Sequence, residues 1–354
     1  MEYLRNTWYT AAWDNEIAPG KILSRRYLNE PVVLFRDVEG TVKALADVCP
    51  HRMAPLGRGR VIGDTIQCGY HGLVFDKRGF CIRNPFGATP KNVRIRTYPV
   101  VERYGVVWIW MGKAELADEG LVPDLRHFDK STHSSARDYL YVKTNYLLEV
   151  DNLLDGSHIE FLHPTTLGSG QVSAGDYEAK QEGETVWSNR YITNESMTAG
   201  MSATFGLPAN EPADRWINIR WTAPSTCVIF PGAVLAGRPH SEGYEVPGTH
   251  LFTPETWKTT HYWYANSFPK SVPDSQKKVD ELVAWIRYPF EHEDKPMLED
   301  QQINIGDRDL MDMRLFWLPG DAASGRARKI LGDKIAAEKA SEQKSQVVSA
   351  SAGG

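Results

Sequence analysis

Residues 49–72, CPHRMAPLGRGRVIGDTIQCGYHG, hold two of the chain's four cysteines and two of its ten histidines. They come as Cys49-x-His51 and, after sixteen residues, Cys68-x2-His71. Thiolate and imidazole bind borderline metals, so a span with this pattern constrains the fold to bring two loops face to face. A Cys2His2 zinc site usually groups like with like, whereas each loop here offers one Cys and one His. A [2Fe–2S] cluster in which two His replace two Cys on one iron suits the mixture, because each iron takes one ligand from each loop. Neutral imidazole in place of anionic thiolate also raises the potential at which such a cluster accepts an electron. Gly69 and Gly72 permit tight backbone beside the second pair, and Pro50 and Pro55 stiffen the first loop. Cys81 and Cys227 stand outside the pattern and read as ordinary thiols.

The flanks are β-rich. Residues 31–48, PVVLFRDVEGTVKALADV, read as two strands around Glu39-Gly40, and 98–112, YPVVERYGVVWIWMG, as another pair around Gly105. A small β-domain over residues 1–120 is expected, ending where 113–125 turn polar. A second domain follows over 121–332. The segment 144–163, TNYLLEVDNLLDGSHIEFLH, suits a largely buried helix. Segments such as WINIRW, CVIF and HYWYA between 184 and 265 alternate like sheet strands. Beyond Pro273, Asp274 is the expected N-cap of a helix carrying Val279, Leu282, Val283 and Ile286, which Pro289 should kink or interrupt. Residues 333–354 lose their aromatics and read as a partly disordered tail, helical at first. The fold class expected is α+β, an antiparallel sheet flanked by helices following a β-domain.

A second cluster of donors lies at DNLLDGSHIEFLHP. Asn152, Asp155 and His158 are three apart and share a helix face. His158 and His163 are five apart, about 140° around an ideal α-helix, so an ordinary helix would not aim both rings at one ion. A π-type turn would align them, and Pro164 disfavours α geometry at His163, which should cap the helix. Two His and one carboxylate form the facial triad that leaves positions open on Fe(II).

CPHRMAPL with CGYHGLVFD resembles the Rieske motif, and N-x2-D-x2-H-x4-H downstream resembles the mononuclear iron motif of Rieske non-haem iron oxygenases. The likeness runs from RNTWYTAAW to VPGTHLFTPET and the C-terminal helical region. YHGL, DNLLD and HPTTLG lean toward the group of vanillate O-demethylase, dicamba O-demethylase and toluenesulfonate methyl-monooxygenase oxygenase components. The resemblance implies a Rieske domain before a helix-grip-like catalytic domain, with cluster ligands Cys49, His51, Cys68 and His71. It implies iron ligands His158 and His163, with Asp294 the third among Glu291, Glu293, Asp294, Glu299 and Asp300; the other four read as an exposed acidic face. Asp155 would be the electron bridge to His71 of a neighbouring chain, with Asn152 beside it, and His250, Trp285 and Ile229 would line the substrate pocket.

The activity implied is that of the terminal oxygenase of a multicomponent monooxygenase. It would use O2 to hydroxylate a methyl or methoxy group of a small aromatic acid, O-demethylation releasing formaldehyde. Ring cis-dihydroxylation and a non-catalytic Rieske electron carrier are the alternatives. No dinucleotide-binding glycine motif follows a strand, so NAD(P)H is expected to be oxidised on a separate ferredoxin-type reductase. The family's ring-shaped trimers imply a homotrimer. Net charge is −5, which argues against nucleic acid as a partner. The N-terminus lacks a signal-peptide pattern and no apolar run nears the ~20 residues of a membrane helix, so a cytoplasmic location without membrane attachment is expected.

Overall fold

The computed structural model describes residues 2–89 and 91–351, with side chains described through 344. Two compact units emerge: Arg5–Val122 with Thr253–Trp257, and Met1–Leu4 with Pro123–Phe252 and Lys258–Gly354.

The first unit is built from three small antiparallel sheets. The run VVLF becomes the fully buried middle of strand Glu30–Arg36, and VVWIW the whole of the fully buried strand Val106–Trp110. The turn expected at Glu39-Gly40 forms with Gly40 at φ +81°, held by Asp37 Oδ1 accepting from the backbone N–H of Glu39 (3.1 Å) and Thr41 (2.9 Å). Val33, Phe35, Leu45, Leu56, Ile66 and Phe75 form a core that also encloses Cys49 and Cys68. Thr253–Trp257 joins this unit, Leu28 N–H donating to Pro254 O at 2.8 Å.

The second unit carries a seven-stranded antiparallel sheet. Its order is His133–Val142, Thr259–Pro269, Gly248–Thr256, Thr226–Leu235, Ala213–Thr222, Thr185–Glu195 and Asp176–Glu182. Its helices are α1 (Tyr146–Leu154), α2 (His158–Leu162), α3 (Ala199–Thr204), α4 (Ser275–Pro289), α5 (Lys295–Ile305) and α6 (Ala322–Ser351). Helix α4 packs on the two strands His133–Val142 and Thr259–Pro269. It buries Val279, Leu282, Val283 and Ile286, each contributing roughly 1.5–3 kcal/mol. Among the described residues no helix is long and apolar enough to cross a membrane.

Four details differ from the sequence reading. The segment 144–163 is two helices rather than one with a π-turn, because Asp155 leaves the helix at φ −97°, ψ 90° and its Oδ1 accepts from Ser157 N–H at 2.9 Å, an Asx turn across Gly156. The π-turn stands instead at Phe290–Asp294, just after Pro289. Asp274 precedes α4 in a left-handed conformation (φ 55°) and its side chain makes no cap bond. The helix expected at the start of the 333–354 tail runs further than the sequence suggests, continuing in α6 through Ser351, and the last three residues of the tail lie outside those described.

Candidate active site

The two Cys/His loops are built alike. Cys49 N–H donates to Ala54 O (2.8 Å) and Met53 N–H to Cys49 O (2.9 Å). In the second loop Cys68 N–H donates to Leu73 O (2.8 Å) and Gly72 N–H to Cys68 O (3.0 Å). The fourth residue after each cysteine takes positive φ, Met53 at +55° and Gly72 at +74°. Gly69 is required for a different reason, since a Cβ there would lie 2.5 Å from Arg58 O. Both thiols are buried, and burial together with Cys68 pushes Cys49 up to about 11, the backbone bond at His51 opposing. The His51 and His71 rings meet edge to face, centroids 4.6 Å apart. Two buried sulfurs and two adjacent imidazoles at the rim are the donor set that a mixed-ligand [2Fe–2S] cluster takes. Cys81 and Cys227 are buried thiols with their pKa raised by burial.

In the second unit a donor atom from each of His158, His163 and Asp294 lies within 4.8 Å of the others. The helix break at 155–157 turns α2 so that both rings face one point, and His163 leaves helical geometry (φ −118°, ψ 42°) as its C-cap. His158 Nδ1–H donates to the backbone carbonyl of Asp155. His163 Nδ1–H donates to Glu293 Oε2 at 2.6 Å, and Thr166 Oγ1–H to the same oxygen at 2.8 Å. Both Nδ1 positions are therefore spoken for, and the two Nε2 atoms are left to face Asp294 Oδ1, at 3.1 Å from His163 and 3.6 Å from His158. Asn152 Nδ2–H donates to Asp294 Oδ1 at 3.1 Å. Burial pulls the His163 pKa down, but hydrogen bonds and charge from Asp294, then Glu293, outweigh it and hold it above the ordinary value. A site that stabilises a positive charge between two imidazoles and a carboxylate fits a divalent cation.

Glu293 was read from sequence as an exposed acidic residue, and the structure corrects this: it anchors His163. Glu299 is engaged too, accepting from Lys143 N–H at 2.9 Å, and Glu291 pairs with Arg287. The Glu293 and Glu299 contacts have no signal in local spacing, because their partners come from distant segments, whereas Arg287–Glu291 is an ordinary i,i+4 pair. Asp155 Oδ1 takes both Ser157 N–H and Oγ–H, and Asp155 lines a cavity of about 450 Å³ with Asn152 and His158.

A separate cavity of about 130 Å³ is bordered by the elements that bring the three donors together, through Ile159 of α2 and Phe290 of the π-turn. His250, Trp285 and Ile229 all line it, among mainly apolar side chains. The Trp285 ring lies over Gly200 of α3, where a Cβ would approach it to 3.1 Å. His250 is fully buried and lowered to about 3 by burial, Asp294 opposing, so its ring is neutral.

A family model of the vanillate O-demethylase oxygenase C-terminal domain matches residues 142–337, and one of the Rieske [2Fe-2S] domain matches residues 7–99. The chain belongs to the Rieske oxygenase components of the vanillate O-demethylase family. It is 36% identical to the oxygenase component of dicamba O-demethylase of Stenotrophomonas maltophilia over 84% of this chain and 88% of that one. It is 35% identical to the iron-sulfur subunit of the toluene-4-sulfonate monooxygenase system of Comamonas testosteroni, over 95% and 98%. The solved dicamba monooxygenase bound to 3,6-dichlorosalicylic acid superposes with a TM-score of 0.87 at 31% identity, covering 96% of this chain and all of that one. The structure of the same enzyme with non-haem iron and dicamba gives 0.79.

As a Rieske oxygenase component the chain is an oxidoreductase using a [2Fe–2S] cluster, non-haem iron and O2, with electrons from NAD(P)H arriving through a separate reductase. Both donor sets described above have the composition these groups require.

Proposed function

We propose that this oxygenase hydroxylates a methyl or methoxy group on a small aromatic acid, O-demethylation with release of formaldehyde being the form favoured. Cys49, Cys68, His51 and His71 would hold the cluster, and His158, His163 and Asp294 the iron. Bound there, the iron supplies activation of O2 next to the substrate. The observation that carries the reading is the three-donor site sharing α2 and the π-turn with an apolar cavity of about 130 Å³, close to the ~150 Å³ of an apolar cavity that takes up benzene.

The chain's own residues divide the remaining work. Asn152 and Glu293 orient Asp294 and His163 through the bonds given above, and Asp155 holds the His158 ring by its carbonyl. The apolar lining excludes water from the ring, and His250 and Trp285 position it. Asp155 also serves as the link to His71 of the next chain in a homotrimer, located in the cytoplasm. Dicamba and toluenesulfonate, the compounds in the relatives' names, are aromatic acids, which supports an acid substrate.

Product analysis tests the proposal. Protein, a ferredoxin-type reductase, NADH and O2 are offered methoxy- and methyl-aromatic acids, with formaldehyde and benzylic alcohols assayed. Formaldehyde is expected from a methoxy acid. A ring cis-diol would overturn the methyl-group chemistry.

A further inference from the structure

Ile229 gives the cavity hydrocarbon only, so any polar grip on a substrate comes from another position. Two nitrogen atoms stand over Gly248. A Cβ at that residue would lie 3.1 Å from Asn266 Nδ2 and 3.3 Å from His250 Nε2, so any side chain there would fall on both, and glycine keeps the space open. Asn266 and His250 lie on neighbouring strands, Thr259–Pro269 and Gly248–Thr256, and both line the cavity. Among the described residues neither the Asn266 side-chain amide nor His250 Nε2 has a hydrogen-bond partner.

The other ring nitrogen, His250 Nδ1, is 2.7 Å from Tyr262 Oη. Tyr262 is buried and among the described residues its hydroxyl has no second partner, so its proton is satisfied by donation to Nδ1. The neutral ring then carries its own proton on Nε2, aimed at the open space. Arg215, the one cation in the lining among the described residues, is already paired with buried Glu195 at 2.7 Å. What the cavity presents is two convergent N–H donors in an apolar wall.

We propose that Asn266 is a specificity-determining residue, its amide and the His250 Nε2–H together holding an oxygen acceptor on the substrate ring, with Tyr262 the positioning residue that keeps His250 a donor. The acceptor is the oxygen of a carboxylate or of a ring-attached carbonyl. This rests on the aromatic-substrate reading above and adds which atom of the substrate is gripped.

The test reads binding, not turnover. Iron-loaded protein with its cluster oxidised is titrated under argon by calorimetry with 4-methoxybenzoate, 4-methoxyacetophenone and 4-methylanisole. The first two carry the acceptor oxygen, and the third keeps the ring without it. Asn266→Leu is expected to weaken the acceptor-bearing probes about tenfold, the loss of one buried hydrogen bond, and to leave 4-methylanisole within about twofold. Tyr262→Phe is expected to weaken the same two probes and to release the tautomer, seen as a mixed Nδ1/Nε2 signal in 15N spectra of histidine-labelled protein. Stronger binding of the benzoate than of the acetophenone assigns the acceptor to a carboxylate, and the reverse order assigns it to a carbonyl. Equal effects of Asn266→Leu on all three probes, no effect on any, or no binding of the acceptor-bearing pair to the unmodified protein would overturn the proposal. A protein that binds these probes but oxygenates nothing removes the catalytic reading and leaves the clamp standing.

Discussion

Glu293 offers the sharpest test of how the iron site is held. Its carboxylate accepts from His163 Nδ1–H at 2.6 Å and from Thr166 Oγ1–H at 2.8 Å, and the His163 side chain is 1% exposed. Glu293→Gln keeps the shape and an acceptor oxygen but removes the charge. A hydrogen bond to a charged group contributes about 1.5–3 kcal/mol and a neutral one about 0.5–1.5, so the difference is about 1–1.5 kcal/mol. That corresponds to about five- to tenfold in iron affinity. Glu293→Ala leaves the imidazole N–H without a partner, frees the ring to turn, and is expected to cost 10–100-fold. The assay strips the mononuclear iron, then titrates Fe(II) against a competing chelator while the visible absorbance of the cluster serves as an internal control. The expected order is wild type, then Gln, then Ala, at constant cluster absorbance. Wild-type affinity in Glu293→Ala would refute the reasoning.

Three further outcomes are expected. Asp155→Asn should retain both metals and the cluster colour while product formation collapses, since the amide oxygen still accepts from Ser157; unchanged turnover would remove the bridge assignment. Gly69→Ala should lose cluster absorbance because its Cβ meets Arg58 O at 2.5 Å, whereas Gly170→Ala, with nothing within 4 Å, should keep it; spectra of both variants decide the matter. His127 and His250 are each lowered to about 3 by burial, so the unfolded chain binds more protons than the folded one as pH falls below the ordinary histidine value. Stability is therefore full by about pH 8, and at pH 5.5 each histidine costs about 1.4 kcal/mol. Urea unfolding of His127→Gln should show that much less loss between pH 8 and pH 5.5, and an identical loss would count against it.

Much of the chemistry was legible because it is local. The cluster loops repeat a short pattern, and the spacing of His158, His163 and Pro164 already said that the second ring leaves the helix. The geometric difficulty, about 140° between the two histidines on an ideal helix, was real, but the chain resolves it by breaking at Asp155-Gly156-Ser157 rather than by a π-turn there. An Asx turn depends on one side-chain bond, which a hydrophobic pattern does not register. Glu293 and Asn266 were invisible for a different reason. Each matters through an atom more than ten residues away, so their neighbours in sequence suggest a solvated face and a plain strand residue. The start of α6 was expected to be helical, but its length was not, because Ala, Lys and Glu serve equally in a helix and in a disordered tail.

In the turn Phe290–Asp294, Lys295 N–H donates to Phe290 O, five residues back, so the stretch is a helix holding one surplus residue. Its catalytic meaning is arithmetic. Remove a single codon within 290–293 and the chain closes into ordinary α-helix, with α5 keeping its phase relative to α4 because the widened turn had absorbed the extra residue. What is lost is the widened turn itself, in which the consecutive residues Glu293 and Asp294 both meet the His163 ring, at 2.6 and 3.1 Å. One surplus residue thus separates a turn that meets a single imidazole at both nitrogens from a plain helix running along the same path.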